Sequence, residues 1–154
     1  MDFHHEGTKT QRGEGTRETF VPSRLRGEPL PAATENAAKV VVDCAFRVHS
    51  QLGPGLLESV YEVCLAHELH KSGLPFENQL SLPVVYDDIR LDAGLRLDFL
   101  VAGAVIVELK AVEHLLPVHQ AQVLTYLKLT GHRLGLLINF NVPQIKNGIR
   151  RVVL

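Results

Sequence analysis

Leu95-Arg96-Leu97-Asp98-Phe99-Leu100-Val101 and Ala104-Val105-Ile106-Val107-Glu108-Leu109-Lys110 are two runs of β-forming residues separated only by Ala102-Gly103. The spacing predicts a β-hairpin, with the Gly-containing pair supplying the turn. A ladder symmetric about Gly103 sets Asp98 directly opposite Glu108. Opposed residues have Cβ atoms roughly 5 Å apart, and two like charges at that distance repel unless something positive lies between them. A hard divalent cation would serve, because Mg²⁺ takes one or two carboxylates together with waters and phosphate oxygens. Lys110 shares a strand face with Glu108 through the two-residue period, which brings an ammonium beside the pair. The same trio also describes a solvated cross-strand salt-bridge patch. Against that, Val105, Ile106, Val107 and Leu109 make the second strand almost continuously apolar, as in strands covered on both faces. Glu108 and Lys110 are therefore expected at the end of a buried strand, where ionised groups need a reason.

The chain has 154 residues, 45% of them hydrophobic, which suits one globular domain able to bury a core without staples. Cys44 and Cys64 fall at apolar positions of helix-like stretches and have no partner at metal-ligand spacing, so both read as reduced thiols. No apolar run is long enough to cross a membrane and the N-terminus lacks the pattern of a secretory signal, so a cytoplasmic protein is expected. The net charge of -1 gives no global push toward nucleic acid. Its distribution is uneven: residues 114–154 hold Lys128, Arg133, Lys146, Arg150 and Arg151 and no acid, whereas residues 39–113 hold eleven acids against six bases. The basic C-terminal third suits a polyanion or an ordinary solvated surface equally well.

Residues 1–34 read as a flexible tail, rich in Gly, Thr, Arg, Glu and Pro, with His4-His5 too short to be a metal site; residues 35–154 form the expected domain. A helix is predicted from an N-cap at Thr34 to Leu52, with Val41, Cys44, Ala45 and Val48 on its apolar stripe, ended by Gly53-Pro54-Gly55. A second is predicted over residues 56–72, with Leu57, Val60, Tyr61, Cys64, Leu65 and Leu69 facing the core and Glu58 in its first turn beside that face. Strands follow at 76–85, at the hairpin and near 134–140. A third helix is predicted from Pro117 to about Leu129, closed by Gly131. On it His119, Gln122 and Tyr126 lie on one stripe, an imidazole, an amide and a phenol that can bond phosphate oxygens or one another.

At this point the chain resembles a known family. Gly55-Leu56-Leu57-Glu58-Ser59-Val60-Tyr61, the preceding Val48-His49-Ser50-Gln51-Leu52-Gly53-Pro54 and the later Glu108-Leu109-Lys110-Ala111-Val112 are similar to the GxxExxY family, over roughly residues 36–154. That family resembles the PD-(D/E)XK nuclease superfamily, whose restriction-endonuclease-like fold is an α/β arrangement with a mixed central β-sheet flanked by helices. The order helix acid, strand Asp, Glu-x-Lys and Gln-x-x-x-Tyr resembles its RecB-type and λ-exonuclease-type branch, with Glu58, Asp98, Glu108, Lys110, Gln122 and Tyr126 in those positions. Leu97 stands where the proline that names the motif would be.

The resemblance implies a metal-dependent nuclease acting on nucleic acid, with DNA the favoured substrate. It implies Mg²⁺ or Mn²⁺ held by Asp98, Glu108, the Leu109 carbonyl and Glu58, with Lys110 positioning the attacking water. Gln122 and Tyr126 would orient Lys110 or hold the substrate backbone, and Arg96 would neutralise a phosphate. His49 resembles an upstream histidine that some RecB-type enzymes use as a ligand, although a satisfied helix histidine explains it too. The alternative is a catalytically silent nuclease-fold module that binds nucleic acid or a protein partner, since fold does not decide function.

Overall fold

A computed structural model describes residues 27–154. The stretch 1–26 of the expected tail, with His4-His5, lies outside them. The first helix, α1 (Ala32–Leu52), starts two residues ahead of Thr34. Pro31, not a threonine hydroxyl, sets its entry: φ is fixed at -53°, and the Pro31 carbonyl accepts the Glu35 N–H at 3.1 Å. The second helix, α2 (Glu58–Ser72), starts two residues later than the apolar pattern predicted, so Glu58 is its first residue and Leu56-Leu57 belong to the loop. Its C-terminus is closed by Gly73 in the left-handed region, as expected of a C-terminal glycine.

Five strands form one mixed sheet in the order β1 (Phe76–Tyr86), β2 (Ile89–Val101), β3 (Val105–Lys110), β4 (Leu134–Asn139) and β5 (Ile149–Val153). Only β3 and β4 run parallel, and the chain between them is α3 (Pro117–Thr130), the helical crossover that a parallel pair requires. This is the mixed α/β architecture, a central sheet flanked by helices, that the family resemblance implied. β2 is longer than expected, reaching back to Ile89, and a three-residue excursion at Asp92-Ala93-Gly94 against Pro83 shifts its register with β1. β5 was not predicted. Its five residues include Arg150 and Arg151, and a strand this short at a sheet edge leaves no alternation long enough to read.

The sheet has a different helical layer on each face. Val105, Val107 and Leu109 of β3 pack with Val41, Ala45, Leu65 and Leu69 of α1 and α2. Ile106, Leu137 and Val152 pack with Val123 and Leu127 of α3. Alternation along β3 therefore points Glu108 and Lys110 to the α3 side. α3 lies very close to β4: a Cβ at Gly135 would stand 2.5 Å from Val123 Cγ1. Gly135→Ala is expected to push α3 off the sheet and cost about 1–3 kcal/mol in urea unfolding, and Val123→Ala introduced with it should recover part of that loss.

The hairpin turn is closed by the Ala104 N–H on the Val101 carbonyl at 3.0 Å, with Ala102 and Gly103 both at positive φ (53° and 62°). Alanine is strained there and asparagine is not. Ala102→Asn should raise unfolding stability by up to about 1 kcal/mol, measured in the same titration.

Candidate active site

The hairpin is symmetric as its sequence predicts: Val101 pairs with Val105, Leu100 with Ile106 and Phe99 with Val107. Pairing stops there, and β2 leaves β3 to continue with β1 alone. Where the strands part, two side chains replace the ladder. The Asp98 backbone N–H donates to Glu108 Oε1 at 3.2 Å, and the Leu109 N–H donates to Asp98 Oδ2 at 2.8 Å. Each carboxylate thus satisfies an amide of the opposite strand, which buried backbone donors require. Asp98 is only 9% exposed and Glu108 4%.

β2 also changes face at this point. Phe99 and Val101 belong to the core under α1 and α2, but Leu95 and Leu97 belong to the core under α3. Opposite Asp98 on β1 stands Gln79, which is skipped in the pairing between Asn78 and Leu80 and has φ 51°. The ribbon turns over there, so Leu97 and Asp98 do not obey strict alternation. Leu97, in the place of the expected proline, is fully buried.

Burial and, next to it, the charge of Asp98 push the Glu108 carboxyl from 4.5 up to about 8. Lys110 pulls in the other direction without offsetting this. At neutral pH the pair therefore keeps a proton, as two carboxylates in one poorly solvated place do. The donor set of hard oxygens, short of positive charge, fits a divalent cation. Among the described residues, however, no three His, Cys, Asp or Glu side chains gather closely enough to hold a metal. Glu58 stands outside the contact pair, although partial burial and then the Asp98 charge raise its pKa, while Lys110 and Arg96 lower it.

Glu58 owes its place to Tyr61. The Tyr61 hydroxyl donates to the Gly53 carbonyl at 2.7 Å and accepts the Leu56 N–H at 3.2 Å, while its ring stacks on Phe140 at 4.6 Å. Gly55 in this loop has φ 98°, which favours glycine. The glycine, acid and tyrosine of the motif form one device, a loop tied by a phenol that starts α2 at the acid. Sequence reasoning counted Tyr61 as core and as the last residue of the motif, but gave no role to its hydroxyl, which bonds eight residues back.

α3 supplies the third side. A cleft of about 510 Å³ is lined by Lys110, Val118, His119, Gln122, Thr125 and Tyr126 among others. Gln122 Nε2 donates to the Tyr126 hydroxyl at 2.7 Å. Burial, followed by the Glu108 charge, raises the Tyr126 pKa, so the phenol stays protonated. Arg96 is exposed on β2, and its charge is felt at both Glu58 and Tyr126.

Of the residues singled out in the sequence, Lys110, Gln122 and Tyr126 line one cleft, the charges of Glu108, Asp98 and Arg96 are felt at Tyr126, and those of Asp98, Lys110 and Arg96 are felt at Glu58. His49 is engaged elsewhere: its Nε2 bonds the Val142 carbonyl at 2.7 Å and the residue is 8% exposed, the satisfied helix histidine of the sequence reading. Sequence reasoning also missed Asn139, the last residue of β4 and the ladder partner of Lys110. Its side chain accepts the Val112 N–H at 3.1 Å and donates to the Val112 carbonyl at 2.9 Å, fixing the chain just beyond Lys110. Three of the C-terminal basic residues are tied to the fold itself, Arg133 to the Glu28 carbonyl, Arg150 to the Asn147 and Ile149 carbonyls, and Arg151 to Glu35. Both cysteines are free, Cys44 buried and Cys64 half-buried. No helix among the described residues is long and apolar enough to cross a membrane.

Comparison with known proteins returns one family: residues 35–152 match the model of the PD-(D/E)XK nuclease superfamily. No curated protein and no solved structure matches the chain.

The raised Glu108 pKa gives the fold a pH dependence of definite sign. Between 4.5 and about 8 the folded chain holds a proton that the unfolded chain has lost, so stability falls as pH rises through that window. In chelator, unfolding free energy should decline with pH from about 5 to about 8 by up to roughly 1.4 kcal/mol per unit. Glu108→Gln should flatten the decline; an equal slope in that variant would show that another group titrates.

Proposed function

Because the chain belongs to the PD-(D/E)XK nuclease superfamily, we propose that the Asp98/Glu108/Lys110 cluster is a phosphodiesterase centre that hydrolyses nucleic acid, with DNA as the substrate. Its motifs resemble those of the GxxExxY group and support a reading on the RecB-type and λ-exonuclease-type side of the superfamily. The observation that carries the reading is the fork itself: two buried carboxylates held in contact, short of positive charge, beside a half-buried lysine that lines an open cleft.

Asp98, Glu108 and the Leu109 carbonyl would hold Mg²⁺ or Mn²⁺, with Glu58 acting through a water because it stands outside the contact pair. When bound, the cation supplies Lewis acidity and a template for the scissile phosphate. The side chains do the rest. Lys110 holds the attacking water by its ammonium and favours its hydroxide form. Tyr126, kept protonated and with its oxygen already accepting from Gln122, has its O–H left to donate to a phosphate oxygen. Arg96, exposed beside Glu58, neutralises a phosphate at the rim. Water attacks phosphorus in line, the P–O bond opposite it breaks, and a 5′-phosphate is left on the product.

The detached position of Glu58 favours the rival reading, a silent module that binds nucleic acid or a protein partner without cutting. A cleavage assay on single-stranded and duplex DNA and RNA with Mg²⁺ or Mn²⁺ separates the two. Native protein should cut at least one form, and Asp98→Asn and Lys110→Ala should each lower kcat roughly a hundredfold or more. Native protein that binds DNA but cuts no form, with calorimetry finding no metal at the pair, would establish the silent module instead.

A further inference from the structure

His119 has a role that the nuclease motifs do not assign. It is the third residue of α3, half-buried, and lines the cleft that Lys110, Gln122 and Tyr126 share. Its Nδ1 accepts the Leu116 N–H at 3.0 Å, while its own N–H donates to the Leu116 carbonyl at 3.0 Å. The side chain therefore reaches back to cap the helix, as a glutamate or glutamine at this position would. A histidine does one thing more. With Nδ1 fixed as an acceptor, the ring proton of the neutral form sits on Nε2. Among the described residues, no protein group takes that proton. A carboxylate at this position would satisfy the cap and offer no donor, and an asparagine amide would carry its NH2 at the place of the ring Cδ2, short of Nε2.

Distance along the helix says what the donor addresses. His119 and Tyr126 are seven residues apart, about 10 Å along the axis at 1.5 Å per residue, with Gln122 between them on the same stripe. Tyr126 feels the Glu108 and Asp98 charges and so belongs to the reacting phosphate. His119 therefore lies about two helical turns from Tyr126, at the N-terminal end of the stripe that lines the cleft.

We propose that His119 is a substrate-binding residue whose Nε2–H, fixed by the cap on Nδ1, donates to a non-bridging oxygen of a backbone phosphate flanking the scissile one. The inference rests on the nuclease reading and deepens it: the cleft holds a polymer by at least two successive phosphates, one for chemistry and one for position. The α3 first turn contains no acid that would oppose an anion there.

His119→Asn tests this, because Asn Oδ1 stands in for Nδ1 and keeps the cap while Nε2–H is deleted. Steady-state cleavage of the labelled DNA form that the native chain cuts, together with melting temperature, gives the readout. Expected are a KM raised about tenfold, the usual effect of losing one hydrogen bond to a charged oxygen, a kcat close to native, and an unchanged melting temperature. His119→Ala should show the same KM and also a lower melting temperature, because the cap is gone. An unchanged KM in His119→Asn with native kcat overturns the inference and leaves the nuclease reading standing, as does a loss confined to kcat. If native protein neither binds nor cuts any nucleic acid, both fall together.

Discussion

The rest of the site depends on the fork between β2 and β3. A hairpin that stayed paired to its open end would satisfy its own amides and have no use for acids at Asp98 and Glu108. Here pairing stops at Phe99 and Val107, and each carboxylate takes an amide of the strand across from it. That exchange holds two like charges in contact and removes most of their water, so one of them keeps a proton at neutral pH. The place where this cost is accepted faces α3 and its cleft. A pair whose sole function was structural could use amide or hydroxyl side chains without repulsion.

Three supports keep the fork in position, and each comes from a different element. The close seat of α3 on Gly135 sets the distance between the Gln122/Tyr126 stripe and the sheet. The Tyr61 hydroxyl ties the Gly53–Leu56 loop and so brings Glu58 to the first turn of α2. The Asn139 amide copies a strand's backbone pattern for Val112, one ladder step beyond where β3 ends, so that Lys110 does not sit on a fraying terminus. Local order at a site of this kind comes from groups that touch no substrate.

Much of this was legible in the sequence, for a physical reason. The side-chain period of a strand is two, so a turn at Ala102-Gly103 fixes every opposed pair, and Asp98 against Glu108 follows by counting. Helix positions followed from apolar stripes and glycine stops in the same way. What could not be read were features set by tertiary geometry. The change of face at Asp98 and Gln79 breaks the alternation that sequence reading assumes. β5 carries two arginines in five residues and is held by its neighbour β4, not by a pattern of its own. Tyr61 looked like core because its ring is core; only its hydroxyl, bonded eight residues back, has the second role. Leu57 precedes α2 without any capping side chain, so the true start of that helix carries no polar signal, whereas α3 begins at Pro117, where its proline announced it.

If the fork holds a divalent cation as proposed, that cation must displace the proton shared by Asp98 and Glu108. Calorimetric titration of Mn²⁺ into the native chain at neutral pH, repeated in buffers of different ionisation enthalpy, counts protons released per ion bound. The account predicts release of about one proton, lost in Glu108→Gln. Binding with no proton released, or no binding by the native chain, would contradict it.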